Sequence, residues 1–144
     1  MSQQEIARYV AQIDRARGRL RKTLLSKDPR VLARRPASGD WSIVENVRHL
    51  LWAEQRHLGR FLQGRVEWSR MGLTAFRGRE FADVGSKPTS DVGEVFAEWD
   101  EIHKHIRKAV KSAGGDVEKA LWGNHNHLLY HINIIERLLS TRDA

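Results

Sequence analysis

The run from Asn124 to Leu139 constrains the fold of this 144-residue chain more than any other stretch. Nothing in it breaks a helix, and Leu128, Leu129, Ile132, Ile134, Ile135, Leu138 and Leu139 cover more than half of a helical circumference. A helix this apolar, in a chain otherwise polar and Arg-rich, is expected to be the central and most buried one of a bundle. Three of the seven histidines lie in it. His127 and His131 are four residues apart, so they point the same way with Cβ atoms about 6 Å apart. Two imidazole nitrogens so placed can reach one metal ion at roughly 2.0–2.1 Å. The pair alone is weak, because seven histidines scattered at random over this length give about 0.3 such pairs. A buried imidazole still needs a polar partner, and this helix offers mostly Leu and Ile.

The remaining segments supply the other layers. Ile6, Val10, Ile13, Leu20, Leu24 and Leu25 recur at helical intervals and predict a first long helix over Gln3–Leu25, with Arg15, Arg17, Arg19, Arg21 and Lys22 on its other faces. Asp28 and Pro29 open a short helical turn through Leu32 and Ala33, and Pro36, Ser38, Gly39 and Asp40 then break regularity. A second long helix starts at Trp41-Ser42, where Ser42 and Glu45 read as a capping box, and runs to about Gln63 with Gly64 as its stop. His49 shares a face of it with Glu45, Trp52, Ala53 and Arg56, and points toward the bundle or its upper edge. From Gly64 to Thr89 there is no periodicity. Such a long loop is expected to be a lid or binding loop, and Arg70, Arg77 and Arg79 suit it to cover an anion. A third long helix, capped by Thr89 or Ser90, carries the stripe Val92, Val95, Phe96, Trp99, Ile102, Ile106, Ala109, Val110 and Ala113 and ends at Gly114-Gly115. His103 lies on its flank as a packed or edge histidine, and His105 faces solvent. Asp116 to Trp122 reads as a short turn or helical piece leading into the last helix. With no strand signal, the chain is expected to be all-α: a single domain over residues 1–144, a four-helix bundle with a long loop between its second and third long helices.

Composition narrows the function. There is no cysteine, hence no disulfide, thiolate ligand or cysteine nucleophile. No apolar run approaches the roughly 18 residues of a membrane span, no signal peptide is visible, and the expected compartment is the cytoplasm. The net charge of +7 permits binding to polyanions. The positive charge is not gathered in one block, however, nor interleaved with aromatic residues as in single-strand binders.

Two motifs resemble a known family. The stretch Trp41-Ser42-Ile43-Val44-Glu45-Asn46-Val47-Arg48-His49-Leu50 resembles the second-helix signature of the DinB-like (YfiT-like) metal-dependent hydrolases and their S-transferase-like relatives. The stretch His127-Leu128-Leu129-Tyr130-His131-Ile132 resembles their last-helix signature, with Asn133-Ile134-Ile135 standing where a Gln is common. The resemblance spans nearly the whole chain. It implies a four-helix bundle holding one divalent ion on His49, His127 and His131, and relatives that are frequently dimers. Three neutral imidazoles with open positions is the pattern of a catalytic rather than a structural site, and Zn²⁺ or Ni²⁺ suits such ligands. Around that site, Glu45 is a candidate acid or base that competes with its capping role, and Arg56, Trp52 and Asn124 are candidates for the mouth, Arg56 as a cofactor-binding cation. His125 points elsewhere.

Three functions are expected to compete. The first is a metal-dependent enzyme on a small-molecule substrate, either a hydrolase or a transferase using a low-molecular-weight thiol such as bacillithiol or mycothiol. The second is a stress-response protein that holds metal without turnover. The third, a basic nucleic-acid-binding module, has only the charge behind it, with no recognition motif.

Overall fold

The first stripe becomes α1, Gln3–Leu25, in the computed structural model, which describes residues 2–62, 91–114 and 117–142. Its bounds match the expectation. Ser2 caps it by accepting from the Glu5 amide at 3.1 Å. Ile6, Val10, Ile13, Ala16, Leu20 and Leu24 line its buried side. The short turn is α2, Pro29–Ala33, capped by Asp28 and driving Leu32 into the core. After it the chain turns at Pro36–Gly39, closed by the Gly39 amide on the Pro36 carbonyl at 3.0 Å. Gly39 takes φ +81°, a left-handed conformation that a side chain would strain.

The second long helix is α3, Ile43–Leu58. Both halves of the capping box form: Ser42 Oγ accepts from the Glu45 amide at 3.1 Å, and Glu45 Oε1 accepts from the Ser42 amide at 3.0 Å. The helix does not reach Gln63. It ends at Leu58, with Gly59 as its C-cap, and tightens into a 3₁₀ turn over Gly59–Phe61. The expected lid, with Arg70, Arg77 and Arg79, lies outside the described residues.

The third long helix is α4, Val92–Ser112, and its described cap is Asp91, which accepts from the Gly93 amide at 2.9 Å. The last is α5, Val117–Arg142. The described part of the segment expected as a separate turn or helical piece, Val117 to Trp122, therefore belongs to α5 without a break. Val117, Ala120, Leu121, Asn124, Leu128, His131, Ile135 and Leu139 form one buried row along it.

α4 and α5 each pack against both α1 and α3, so the core lies among four long helices, with α2 laid on α3. Among the described residues there is no strand, and no helix is long and apolar enough to cross a membrane. The expectation that the last helix is the most buried needs correction. All residues of α3 are buried except Trp52, Arg56 and His57, whereas α5 exposes Trp122, Leu129 and Tyr130. Apolar count does not decide this. α3 can be covered nearly all round because many of its polar side chains find partners inside.

One such partner set ties three helices together. Glu54 of α3, 1 % exposed, accepts from Trp99 Nε1 of α4 at 3.0 Å and bonds His103 Nδ1 at 2.9 Å. His103 Nε2 bonds Asp14 of α1 at 2.5 Å. Burial alone would lower the pKa of His103, but the hydrogen bonds to Asp14 and Glu54 raise it. His103 is therefore neither an edge nor a merely packed residue, but an imidazolium between two carboxylates. Beside it Arg17 lies over the Trp99 ring at 4.5 Å and pairs with Asp100 at 2.8 Å.

Candidate metal centre

Two helices build the site. α3 supplies His49, nearly two turns into the helix, and α5 supplies His127 and His131 from one face. The three rings form a triangle with centroids 4.8 Å (His49 to His127), 4.6 Å (His49 to His131) and 4.5 Å (His127 to His131) apart. One nitrogen from each lies within 4.8 Å of the others, which is the arrangement that can hold a metal ion. His49 Nε2 and His127 Nε2 stand 3.1 Å apart. For bond lengths of roughly 2.0–2.1 Å, two ligands are about 2.9 Å apart at a right angle and about 3.4 Å apart at the tetrahedral angle. The observed separation falls between them.

The residue that orients His131 is Asn46. Its Nδ2 donates to the Ser42 carbonyl at 2.9 Å, which turns Oδ1 outward to accept from His131 Nδ1 at 2.8 Å. His131 thus carries its proton on Nδ1 and keeps the Nε2 lone pair for the site. His49 Nδ1 and His127 Nδ1 are buried atoms without a hydrogen-bond partner among the described residues. Trp41 and Trp52 pack on the His49 ring at centroid distances of 4.9 and 5.5 Å.

The electrostatics favour neutral imidazoles. Burial, reinforced by the neighbouring His131, His127 and His57, lowers the pKa of His49 to about 3. Burial and His127 lower that of His131 to about 4, and burial and His57 lower that of His127. A neutral imidazole is the form that ligates.

Of the flanking candidates, Glu45 is held by a bidentate pair with Arg35, at 2.9 and 2.7 Å, as well as by the cap. Burial opposes its ionisation, but Arg35 and Ser42 hold its pKa below the usual value. Arg56 is exposed on α3, Asn124 is buried, and His125 turns away to meet the Tyr9 ring of α1 edge-on. Two residues join the site that spacing alone does not mark. Asn46 is one; its signal is its place one turn before His49 on the same face. His57 is the other, with its ring 5.8 Å from that of His127 and its pKa lowered by burial. Gly123 of α5 faces it, and a Cβ there would stand 3.6 Å from His57 Nδ1.

A cleft of about 710 Å³ opens onto the site from the side of His49 and His131. Trp41 and Asn46 complete its floor, the Pro36–Asp40 turn forms one wall, and Ile134, Arg137 and Leu138 of α5 form the other. Neither Arg56 nor Trp52 lines it.

Comparison with curated proteins found no match to the chain, and comparison with solved structures found none either. A family model does match it, that of the DinB superfamily, over residues 12–137, and this span holds the three histidines and all four long helices in whole or in part. The chain belongs to the DinB superfamily.

Proposed function

We propose that the chain is a single four-helix-bundle domain that binds one divalent metal ion through His49, His127 and His131 and acts with it on a small-molecule substrate. The observation that carries this reading is the convergence of three neutral imidazoles from two helices, His49 and His131 buried and His127 half-buried, with His131 locked by Asn46 into the tautomer that frees its site nitrogen. Nothing in an apolar core otherwise favours such a cluster, because each unpartnered imidazole nitrogen costs about 1–3 kcal/mol when buried.

Zn²⁺ or Ni²⁺ suits an all-imidazole set. When bound, the ion supplies Lewis acidity, lowering the pKa of a water or thiol that reaches it. The residues of the chain do the rest. Asn46 holds the His131 ring, Trp41 and Trp52 confine the His49 ring, and the cleft leaves one side open to substrate. Glu45 serves the start of α3 and its Arg35 pair in this reading, which leaves hydrolysis, or transfer from a low-molecular-weight thiol, to the ion and the cleft. The cytoplasm fits a chain without cysteine, and the exposed Trp122 and Leu129, seven residues apart on α5, favour a homodimer.

Metal content of protein purified without a tag or chelator tests the reading. We expect near one equivalent in the wild type and none in His49→Ala, His127→Ala or His131→Ala, each still helical. A wild-type protein that takes up neither added Zn²⁺ nor added Ni²⁺ would overturn it.

A further inference from the structure

The cleft changes character along α5. At one end are His49, Asn46 and His131, with Trp41 on the His49 ring; farther along α5 the lining passes to Ile134 and then to Arg137 and Leu138. The guanidinium of Arg137 has no ion pair or side-chain hydrogen bond among the described residues. That sets it apart from several other arginines of the fold: Arg17 and Arg21 pair with Asp100, Arg30 with Asp28, Arg35 with Glu45 and Arg107 with Asp14. Asp40 also lines the cleft, but from the opposite wall, and it does not pair with Arg137. Six residues separate His131 from Arg137, a rise of about 9 Å along the helix. An apolar passage of that length, with metal ligands at one end and an uncommitted cation toward the other, is complementary to one kind of molecule.

We infer that the cleft takes an amphiphilic monoanion: a small molecule with a carboxylate-type group for Arg137, an apolar body about 6–10 Å long against Trp41, Ile134 and Leu138, and a metal-seeking head directed to His49 and His131. The inference rests on the metal-centre reading for the head group and on the cleft alone for the anion. Arg137 is then a specificity-determining residue that selects anionic over neutral substrates and leaves metal binding untouched. A guanidinium presents its donors in a planar fork that matches a carboxylate, and Arg137 is exposed on the cleft wall, where an entering anion can reach it.

The test uses the whole protein loaded with Co²⁺, whose spectrum reports a thiolate at the metal. The probes are mercaptohexanoate, with a thiol at one end and a carboxylate at the other, and mercaptohexanol, of the same length but neutral. The wild type is expected to bind the acid roughly tenfold more tightly than the alcohol, as a charge-assisted hydrogen bond of ordinary strength implies. Arg137→Gln should erase that preference while leaving the alcohol's Kd and the Co²⁺ stoichiometry unchanged, and Arg137→Glu should reverse it. Equal affinity for the two probes in the wild type, or a preference that survives in Arg137→Gln, would overturn the inference. If the protein takes up no Co²⁺, or its spectrum responds to neither thiol, the metal reading fails at that point and the anion is tested by itself. Hexanoate titrated into metal-free protein and followed by NMR then decides. Shifts at Ile134 and Leu138 that vanish in Arg137→Gln sustain the anion cleft, and their absence in the wild type removes it.

Discussion

His131 and His103 are equally buried, each 7 % exposed, yet they sit in opposite electrostatic surroundings. His131 faces two other imidazoles and a side-chain amide, and its pKa is lowered to about 4. His103 lies between Glu54 and Asp14, and its pKa is raised. Burial pushes both the same way, so the partners decide the outcome. The neutral cluster keeps lone pairs for a ligand. The imidazolium spends both of its N–H groups on carboxylates and has nothing left to offer. α3 separates the two, presenting Asn46 and His49 toward α5 and Glu54 toward α4. A buried histidine in this fold is thus a candidate ligand on one side of α3 and a strut on the other.

The largest effect that would sharpen this contrast lies on the strut. Glu54→Ala removes one carboxylate from a buried ion pair and leaves His103 charged with half of its partners. A loss of about 3–5 kcal/mol in unfolding free energy is expected, read from urea denaturation, with metal stoichiometry unaltered. A loss below about 1 kcal/mol would mean that His103 is neutral and the network is only packing.

Next comes the ligand side. Asn46→Ala frees the His131 ring and its tautomer without removing a ligand. Metal affinity should fall by about 10–100-fold, measured by competition with a chelator of known affinity, while the helical signal stays. Unchanged affinity would show that the amide serves the Ser42 turn and not the site. The same substitution has no path to His103, so the strut's contribution to stability should not move.

How far these two regions can be read from sequence differs for a physical reason. The stripe of α1 and the capping box of α3 are local patterns, and the helix starts they predict are observed. His127 and His131 are likewise a local pair, four residues apart on one helix. The place of His49 beside them comes from the family resemblance, since the contact spans 78 residues. Asn46 to His131 spans 85, and His103 to Asp14 spans 89. No periodicity encodes a partnership at that range, which is why His103 reads as a packed or edge residue and the orienting role of Asn46 does not appear. The early turns of α5 escape notice for another reason. Asn124 and His131 interrupt the apolar row that runs from Val117 to Leu139, and the helix hides its buried side behind two polar residues.

The smallest effect is on the pH dependence of stability, and it tests both regions at once in metal-stripped protein. His103 has a folded pKa above the ordinary value of about 6.5, so its contribution is complete below that pH and is lost as pH rises through the folded pKa. His49 and His131 have folded values of about 3 and 4, so the unfolded chain takes up protons below about pH 6.5 that the folded chain refuses. Their contribution declines with falling pH, by at most about 1.4 kcal/mol per pH unit for each group. The two limbs meet near pH 6.5, and unfolding free energy should peak there and fall more steeply on the acid side, where more than one histidine acts. Urea midpoints between pH 5 and 9 with a chelator present, a range estimated to stay clear of the carboxylate pKa values, would show it. His103→Leu should flatten the alkaline limb and spare the acid one, and His131→Ala should make the acid limb shallower and spare the alkaline one. If His103→Leu instead altered the acid limb, the proton would not be on His103 in the folded chain, and the opposition between ligand and strut would not hold.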